Sequence, residues 1–364
     1  MKINSKNFRT IWPHSTGKYV EIIDQTLLPH RLEVKRINSL KAMVAAIKTM
    51  QVRGAPLIGA AAAYGMALAT LEDAGDESLT KATADLLASR PTAVNLRWAI
   101  ERMLVHLQPF TVSARVAAAW AEAAAICDED VVINKAIGEH GLKLIQDVVA
   151  QKNRPLNILT HCNAGWLATV DWGTALAPVY AAHDAGLAVH VWVDETRPRN
   201  QGASLTAWEL GQYGVPHTVV TDNAGGHLMQ HGKVDLVIMG ADRVTSTGDV
   251  CNKIGSYLKA LAAFDNKVPC YVAVPSPTID WTITNGLREI PIEERSADEV
   301  AFITGRLPDG KLATVNILPQ GSAVANPAFD VTPARLVTGI ITERGVCASR
   351  QLGVLFPEKT GGKR

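Results

Sequence analysis

Two side chains stand where a strand hands over to a loop, the position at which a parallel sheet presents chemistry. Cys162 follows the apolar Ile158-Leu159-Thr160 and precedes Asn163-Ala164-Gly165. A thiol at a strand end, close to the start of a following helix, is expected to be partly ionised and reactive; the plainer reading of a single cysteine is a small buried hydrophobe. Asp242 closes the run VDLVIMGAD. With an apolar strand behind it, its carboxyl is expected to hold its proton to higher pH and to serve as a general acid near neutrality. The alternative is a helix cap or a partner for Arg243. His161 adjoins Cys162, but neighbours on a strand point to opposite faces, which argues against a Cys–His dyad.

Other residues have the chemistry to hold an anionic ligand. Arg53, Gly54, Ala55 and Pro56 open an uncharged stretch that runs to Leu71. Free N–H groups at a helix start, with a guanidinium beside them, form a phosphate site, and proline suits the first turn because its missing N–H would be unpaired there anyway. The competing reading is a surface loop arginine. Gln201 and Gly202 precede an amphipathic helical pattern, where an amide can reach a sugar hydroxyl. Asn252 and Lys253, in GDVCNKIGSY, are expected near another helix start, with the lysine as a point charge for phosphate. Ordinary loop polarity is the alternative for both.

Competing chemistries lack their signatures. No G-x-G-x-x-G, Walker A loop, G-x-S-x-G or H-E-x-x-H is present. His227 and His231 are spaced i, i+4, but without a third ligand they read as a solvated helix face, so no metal and no cofactor is expected.

The elements that must carry these residues fall into two halves. With 364 residues the chain exceeds one ordinary core. Residues 1–130 read as a mostly helical N-terminal domain with a small strand pair, over 19–37 around Pro29. Asn38 or Ser39 is the expected cap of a helix running to about Met50. Helical spacing recurs over Thr80–Arg90, Ala93–Leu107, Val112–Ile126 and about Asp130–Ala150. Residues 131–364 read as a Rossmann-like α/β domain. Apolar runs at Asn157–Thr160, Ala188–Val193, Thr218–Val220, Leu236–Met239, Tyr271–Val274 and Thr338–Thr342 alternate with helical stretches at Thr174–Ala185, Leu205–Tyr213 and Val250–Phe264. That alternation predicts βαβ units and a parallel sheet covered on both faces. Its carboxyl edge gathers His161-Cys162-Asn163, Asp194-Glu195-Thr196-Arg197, Thr221-Asp222-Asn223 and Asp242-Arg243, and ligands of open parallel sheets bind along that edge.

Bulk properties narrow the class further. Hydrophobic residues make up 47% and charged residues 20%, and 36 basic against 35 acidic side chains leave a net charge of +1. This balance points away from nucleic acid. Five widely spaced cysteines without a C-x-x-C pair read as reduced thiols of a cytoplasmic protein, and the first residues lack the apolar core of a signal peptide. Gly54–Leu71 reaches the lower edge of membrane-span length, yet Pro56, Gly59, Gly65 and its many alanines predict a buried helix of a soluble protein instead. The final Gly-Gly-Lys-Arg is expected to fray.

In chain order, RGAPLIGAAAAYG, LTHCNAG, VWVDETRPRNQGASLTAWEL, VIMGADRVTSTGDVCNKIGSY, VPSPTID and NPAFDVTP cover residues 53 to 333. Together they resemble the 5-methylthioribose-1-phosphate isomerase family, whose wider superfamily includes ribose-1,5-bisphosphate isomerases and regulatory subunits of the translation-initiation guanine-exchange factor. The resemblance implies a helical domain followed by a Rossmann-like one, a homodimer, and conversion of 5-methylthioribose 1-phosphate to its ribulose isomer in methionine salvage. It implies Cys162 and Asp242 as the catalytic pair and Arg53, Gly54, Ala55, Gln201, Asn252 and Lys253 as substrate-binding positions. Arg90 joins these by the same resemblance; its alternative role is a cation at a helix C-terminus. Ser204 departs from the family pattern, which often has arginine there. Phosphate blocks the anomeric oxygen, so an acid must open the ring. Asp242 is the expected donor, with Cys162 transferring a proton or acting as an electrostatic partner to a hydride shift. The rival readings are isomerisation of a related pentose phosphate, a non-catalytic translation-factor subunit, and a nicotinamide-dependent dehydrogenase.

Overall fold

Ser39 starts the first helix: its hydroxyl accepts the Ala42 N–H at 3.2 Å, and α1 runs Leu40–Lys48. The computed structural model describes residues 1–3, 6–150 and 152–360, so the terminal Gly-Gly-Lys-Arg lies outside the described residues. Upstream of α1, the expected strand pair is Val20–Ile23 with Val34–Ile37, and a third strand, Ile11–Pro13, completes an antiparallel sheet.

Helix α2, Ala55–Glu72, has no polar face because it is surrounded. It packs among α1, α3 (Asp76–Ser89), α4 (Val94–Leu107) and α5 (Val112–Val149), and its residues from Ala55 to Thr70 are buried. Among the described residues it alone has the length and apolarity of a membrane span, and 89% of that window is buried within the protein. The two helices expected between 112 and 150 are one. α5 runs 38 residues through position 130. Its first half packs Ala119, Ala123 and Ile126 into the helical core, and its second half packs Ile137 and Ile145 against the large sheet.

That sheet has seven strands. From one edge they are Gly345–Cys347, Gly339–Thr342, Cys270–Ala273, Leu236–Met239, Leu156–Thr160, Val189–Asp194 and His217–Val220. All neighbours pair in parallel except Gly345–Cys347, which is antiparallel at the edge. The connecting helices are α6 (Ala177–Asp184), α7 (Ala207–Tyr213), α8 (Ala224–Gln230) and α9 (Ser256–Asp265). The predicted α/β class and each predicted parallel strand are therefore present.

One predicted helix is partly wrong. Val250–Lys253 is not helical: it is a fully buried strand, antiparallel to both Arg243–Thr245 and Phe329–Thr332, with Ile279–Asp280 completing a second sheet of four. The reason is pairing. The residues from Asp242 to Lys253 double back as a hairpin, and long-range partners override a local helical pattern. A further hairpin, Phe302–Arg306 with Leu312–Asn316, also escaped the sequence reading.

Candidate active site

Cys162 has φ = +65°, a conformation that L side chains seldom adopt. Two threonines hold it there: its N–H donates to Thr196 Oγ1 at 2.8 Å and its carbonyl accepts from Thr206 Oγ1 at 2.7 Å. The residue is 7% exposed. Burial raises its pKa above the ordinary 9.0, an effect that nearby Arg53 and Lys253 oppose and Asp242 adds to. The expected partly ionised thiol is thus replaced by a neutral one. No long helix starts beside it either, since only the short turn Trp166–Ala168 follows before α6.

Asp242 enters from the next strand in the sheet, beyond Met239. Its carboxyl pKa is raised by burial, against the pull of Lys253, Arg90 and Arg53, and Glu293 adds to the rise. Lys253 is 6% exposed, with its ammonium 4.6 Å from the Phe329 ring centroid. Burial lowers its pKa while Cys162 and Asp242 oppose that shift. These mutual influences bring Cys162, Asp242, Arg53, Lys253 and Arg90 into one electrostatic cluster, assembled from α2's leading loop, the end of α3 and three strand ends.

The remaining predicted positions border that cluster. Gly54 is the N-cap of α2 with φ = +93°, and Ala55 is the first helical residue. Arg53 donates twice to Asn163, from Nη1 to Oδ1 at 2.5 Å and from Nη2 to the carbonyl at 2.7 Å. Arg90 ends α3, 8% exposed, with Nε 3.4 Å from Glu293 Oε2. Neither of those two atoms has a hydrogen bond, nor has the buried Gln201 Oε1; the first two face each other as an ion pair, which leaves the Gln201 oxygen as the one of the three without a protein partner. Gln201, Arg53 and Ser204 share a cavity of about 250 Å³ with Leu28, Met50 and Phe302–Thr304. Ser204, the departure from the family pattern, therefore faces this cavity. Asn252 is buried beside Lys253, but its Nδ2 donates to Ser256 Oγ at 2.8 Å.

His161 takes no part in a dyad. Its Nδ1 lies 3.1 Å from Asp194 Oδ2 and its Nε2 lies 2.9 Å from the Ile254 carbonyl. Among the described residues, His161, Asp194 and Asp222 are close enough to share a metal ion. Lys259 Nζ already sits 2.9 Å from Asp194 Oδ2, and both Asp222 oxygens accept backbone N–H groups, from Thr196 and Arg197. His161 and Asp194 therefore belong to a buried ion-pair network with Lys259, and the half-buried Asp222 is occupied by backbone. The rings of His227 and His231 lie 4.2 Å apart, tilted by 41°, at the exposed C-terminal end of α8, as a solvated face would.

Sequence reasoning passed over the supports. Thr196, Thr206, Asn163 and Glu293 gave no periodic signal, and the site residues they hold, Cys162, Arg53 and Arg90, lie 34 or more residues away along the chain. Asn163 alone was within reach, through its adjacency to Cys162.

Comparisons with known proteins give the chain's family. Residues 51–349 match the model of the initiation factor 2 subunit family. A methylthioribose-1-phosphate isomerase of Rhodospirillum rubrum is 65% identical over 367 residues, covering 99% of this chain and 94% of that protein. The crystal structure of 5-methylthioribose 1-phosphate isomerase from Pyrococcus horikoshii OT3 superposes with a TM-score of 0.81 at 40% identity, covering 97% of each chain. That of the translation initiation factor eIF-2B subunit delta from A. fulgidus gives 0.79, also at 40%, over 98% of this chain and 100% of that one. By its family model and by full-length likeness to curated relatives, the chain belongs to the initiation factor 2 subunit family, alongside the methylthioribose-1-phosphate isomerases.

Proposed function

We propose that the chain isomerises 5-methylthioribose 1-phosphate to 5-methylthioribulose 1-phosphate, the activity named for its full-length relatives at 58–65% identity. The observation that carries this reading is the cluster of Cys162, Asp242, Arg53, Arg90 and Lys253. A translation-factor subunit has no use for an acid with a raised pKa facing a buried thiol and three cations, whereas a sugar-phosphate isomerase needs each part.

In this reading Arg53, Arg90 and Lys253 meet the phosphate, with the first N–H groups of α2. Gln201 and Asn252 meet sugar hydroxyls. Asp242, whose charged form burial disfavours, is the group that gives a proton to the ring oxygen, and the ring opens. A hydride then passes from C2 to C1, and as the ketone forms the C2 hydroxyl returns a proton to the Asp242 carboxylate. A neutral thiol is a poor base, which favours a direct hydride shift with Cys162 as its polar neighbour over proton abstraction by sulfur. Solvent deuterium appearing at C1 would contradict the direct shift.

The chain functions in the cytoplasm, where its five unpaired cysteines stay reduced, and as a homodimer. Leu258, Leu261 and Phe264 expose one apolar stripe of α9, at 56%, 37% and 60%, of the kind a second copy covers. Light scattering that returns a monomer mass at micromolar concentration would remove the dimer.

The deciding experiment offers purified protein 5-methylthioribose 1-phosphate, ribose 1,5-bisphosphate and 5-deoxyribose 1-phosphate in the presence of a chelator. Turnover is expected to be fastest on the first and undiminished by chelation. No turnover of any of them would leave the regulatory-subunit reading in its place.

A further inference from the structure

Glu209, on α7, is fully buried. Its Oε1 accepts from Asn163 Nδ2 at 2.5 Å and its Oε2 accepts the Leu167 N–H at 3.2 Å. The approach is possible because residue 165 is glycine: a Cβ there would lie 1.7 Å from Oε1. An acid in such a place costs free energy that an apolar side chain would not, so its hydrogen bonds must account for it.

The Asn163 amide is the link. On one side its Nδ2 meets two acceptors, Glu209 Oε1 and, at 3.1 Å, Thr206 Oγ1, whose own proton goes to the Cys162 carbonyl. On the other side Oδ1 accepts from Arg53. A carboxamide has one donor end and one acceptor end. With acceptors on the α7 side, only the oxygen can face the guanidinium; turned over, the amide would set N–H against N–H and leave Arg53 only its bond to the Asn163 carbonyl.

We propose that Glu209 is a positioning residue for substrate binding: by fixing the orientation of Asn163 it holds the Arg53 guanidinium where it meets the phosphate of the sugar. This rests on the reading of Arg53 as a substrate-binding residue. The residue acts at a distance from the reacting atoms, through one amide, and its removal should weaken phosphate capture rather than bond-making.

The test combines Glu209→Gln, Asn163→Asp, Arg53→Ala and their pairs. Glu209→Gln is expected to raise KM about tenfold or more while kcat stays within about threefold, the pattern of lost uniform binding. In the Arg53→Ala background the same substitution should change kcat/KM less than about twofold, because residues acting as one unit are not additive. Burial raises the Glu209 pKa to about 8, so above that pH Asn163→Asp should raise KM as well, by setting a second carboxylate against Glu209. Combining it with Glu209→Gln restores one donor and one acceptor and should recover most of the loss. Equal losses from Glu209→Gln with and without Arg53, or no rescue in the combined variant, would overturn the proposal and leave Glu209 a packing residue. Should Glu209→Gln fail to fold, the Asn163→Asp variant and its rescue decide alone. Protection against thermal unfolding by inorganic phosphate reads Arg53 without turnover. Wild-type protein that is protected but isomerises none of the sugars would refute the proposed activity. Undiminished protection in Glu209→Gln would refute the positioning role.

Discussion

The amide of Asp242 donates to the carbonyl of Cys251 at 2.9 Å, and this bond seats the acid beside the next two residues of the opposing strand, Asn252 and Lys253. The pairing continues as Arg243 opposite Cys251 and Val244 opposite Val250. A proton donor and its neighbouring cation thus share one hairpin, so their separation is set by backbone pairing and not by the docking of two domains. Cys162 reaches the same place from a different strand.

Asp242→Asn and Cys162→Ala are each expected to lower kcat at least about 100-fold, the scale of a positioned proton-transfer or transition-state group. Asp242→Asn keeps the side chain's volume and Cys162→Ala removes a single sulfur atom, so circular dichroism should stay close to wild type. If both folded variants turned over at near wild-type rates, the catalytic pair would be misassigned.

Glu293→Gln should move the alkaline limb of the pH–rate profile. Glu293 raises the pKa of Asp242, while Arg90, which Glu293 contacts, lowers it. Neutralising Glu293 removes the first influence and strengthens the second, so Asp242 loses its proton at lower pH. Activity requires protonated Asp242 and falls as pH rises through that value. The fall should begin at lower pH in the variant; a limb that stays put, or moves up, would show that another group sets it.

How much of this was legible beforehand depended on how local the cause was. The parallel strands showed as short apolar runs because both faces are covered, and the Arg53–Pro56 start of α2 showed because helix-start chemistry is written in adjacent residues. The strand at Val250–Lys253 did not, because its pairing partners come from 243–245 and 329–332. The continuity of α5 past Asp130 was obscured by a run of polar residues that ends one core and begins the next. Glu209 and Asn163 are 46 residues apart, and nothing in either neighbourhood announces the other.

Asp130 should make stability depend on pH. Burial raises its pKa from 3.8 to about 7, against the Val170 N–H that its Oδ2 accepts at 2.7 Å. A carboxyl that holds its proton more tightly folded than unfolded contributes stability that is fully present below 3.8 and lost as pH rises towards about 7. Asp130→Asn keeps an acceptor for Val170 and cannot ionise. Its melting temperature relative to wild type should therefore climb between about pH 4 and about pH 7. A constant difference across that window would mean the carboxyl ionises as easily in the folded chain as in the unfolded one.

Gly54→Ala tests whether the loop before α2 is built for close approach. Gly54 has φ = +93°, and a Cβ there would stand 2.5 Å from the Ala168 carbonyl oxygen and 2.6 Å from Ala168 Cα. Backbone cannot yield as a flexible side chain can, so the loop must move away from the Trp166–Ala168 turn. A strained left-handed residue costs about 1–3 kcal/mol by itself, and the displacement adds to that. Arg53 precedes the glycine and Ala55 follows it, so the same movement draws the guanidinium from Asn163 and tilts the first N–H groups of α2. The variant should melt lower than wild type and raise KM more than it lowers kcat. Gly17→Ala supplies the control: φ is +64° but nothing lies within 4 Å of the added carbon. It should carry a comparable conformational strain with KM unchanged, so that equal KM values for the two variants would separate Gly54 from the binding of phosphate.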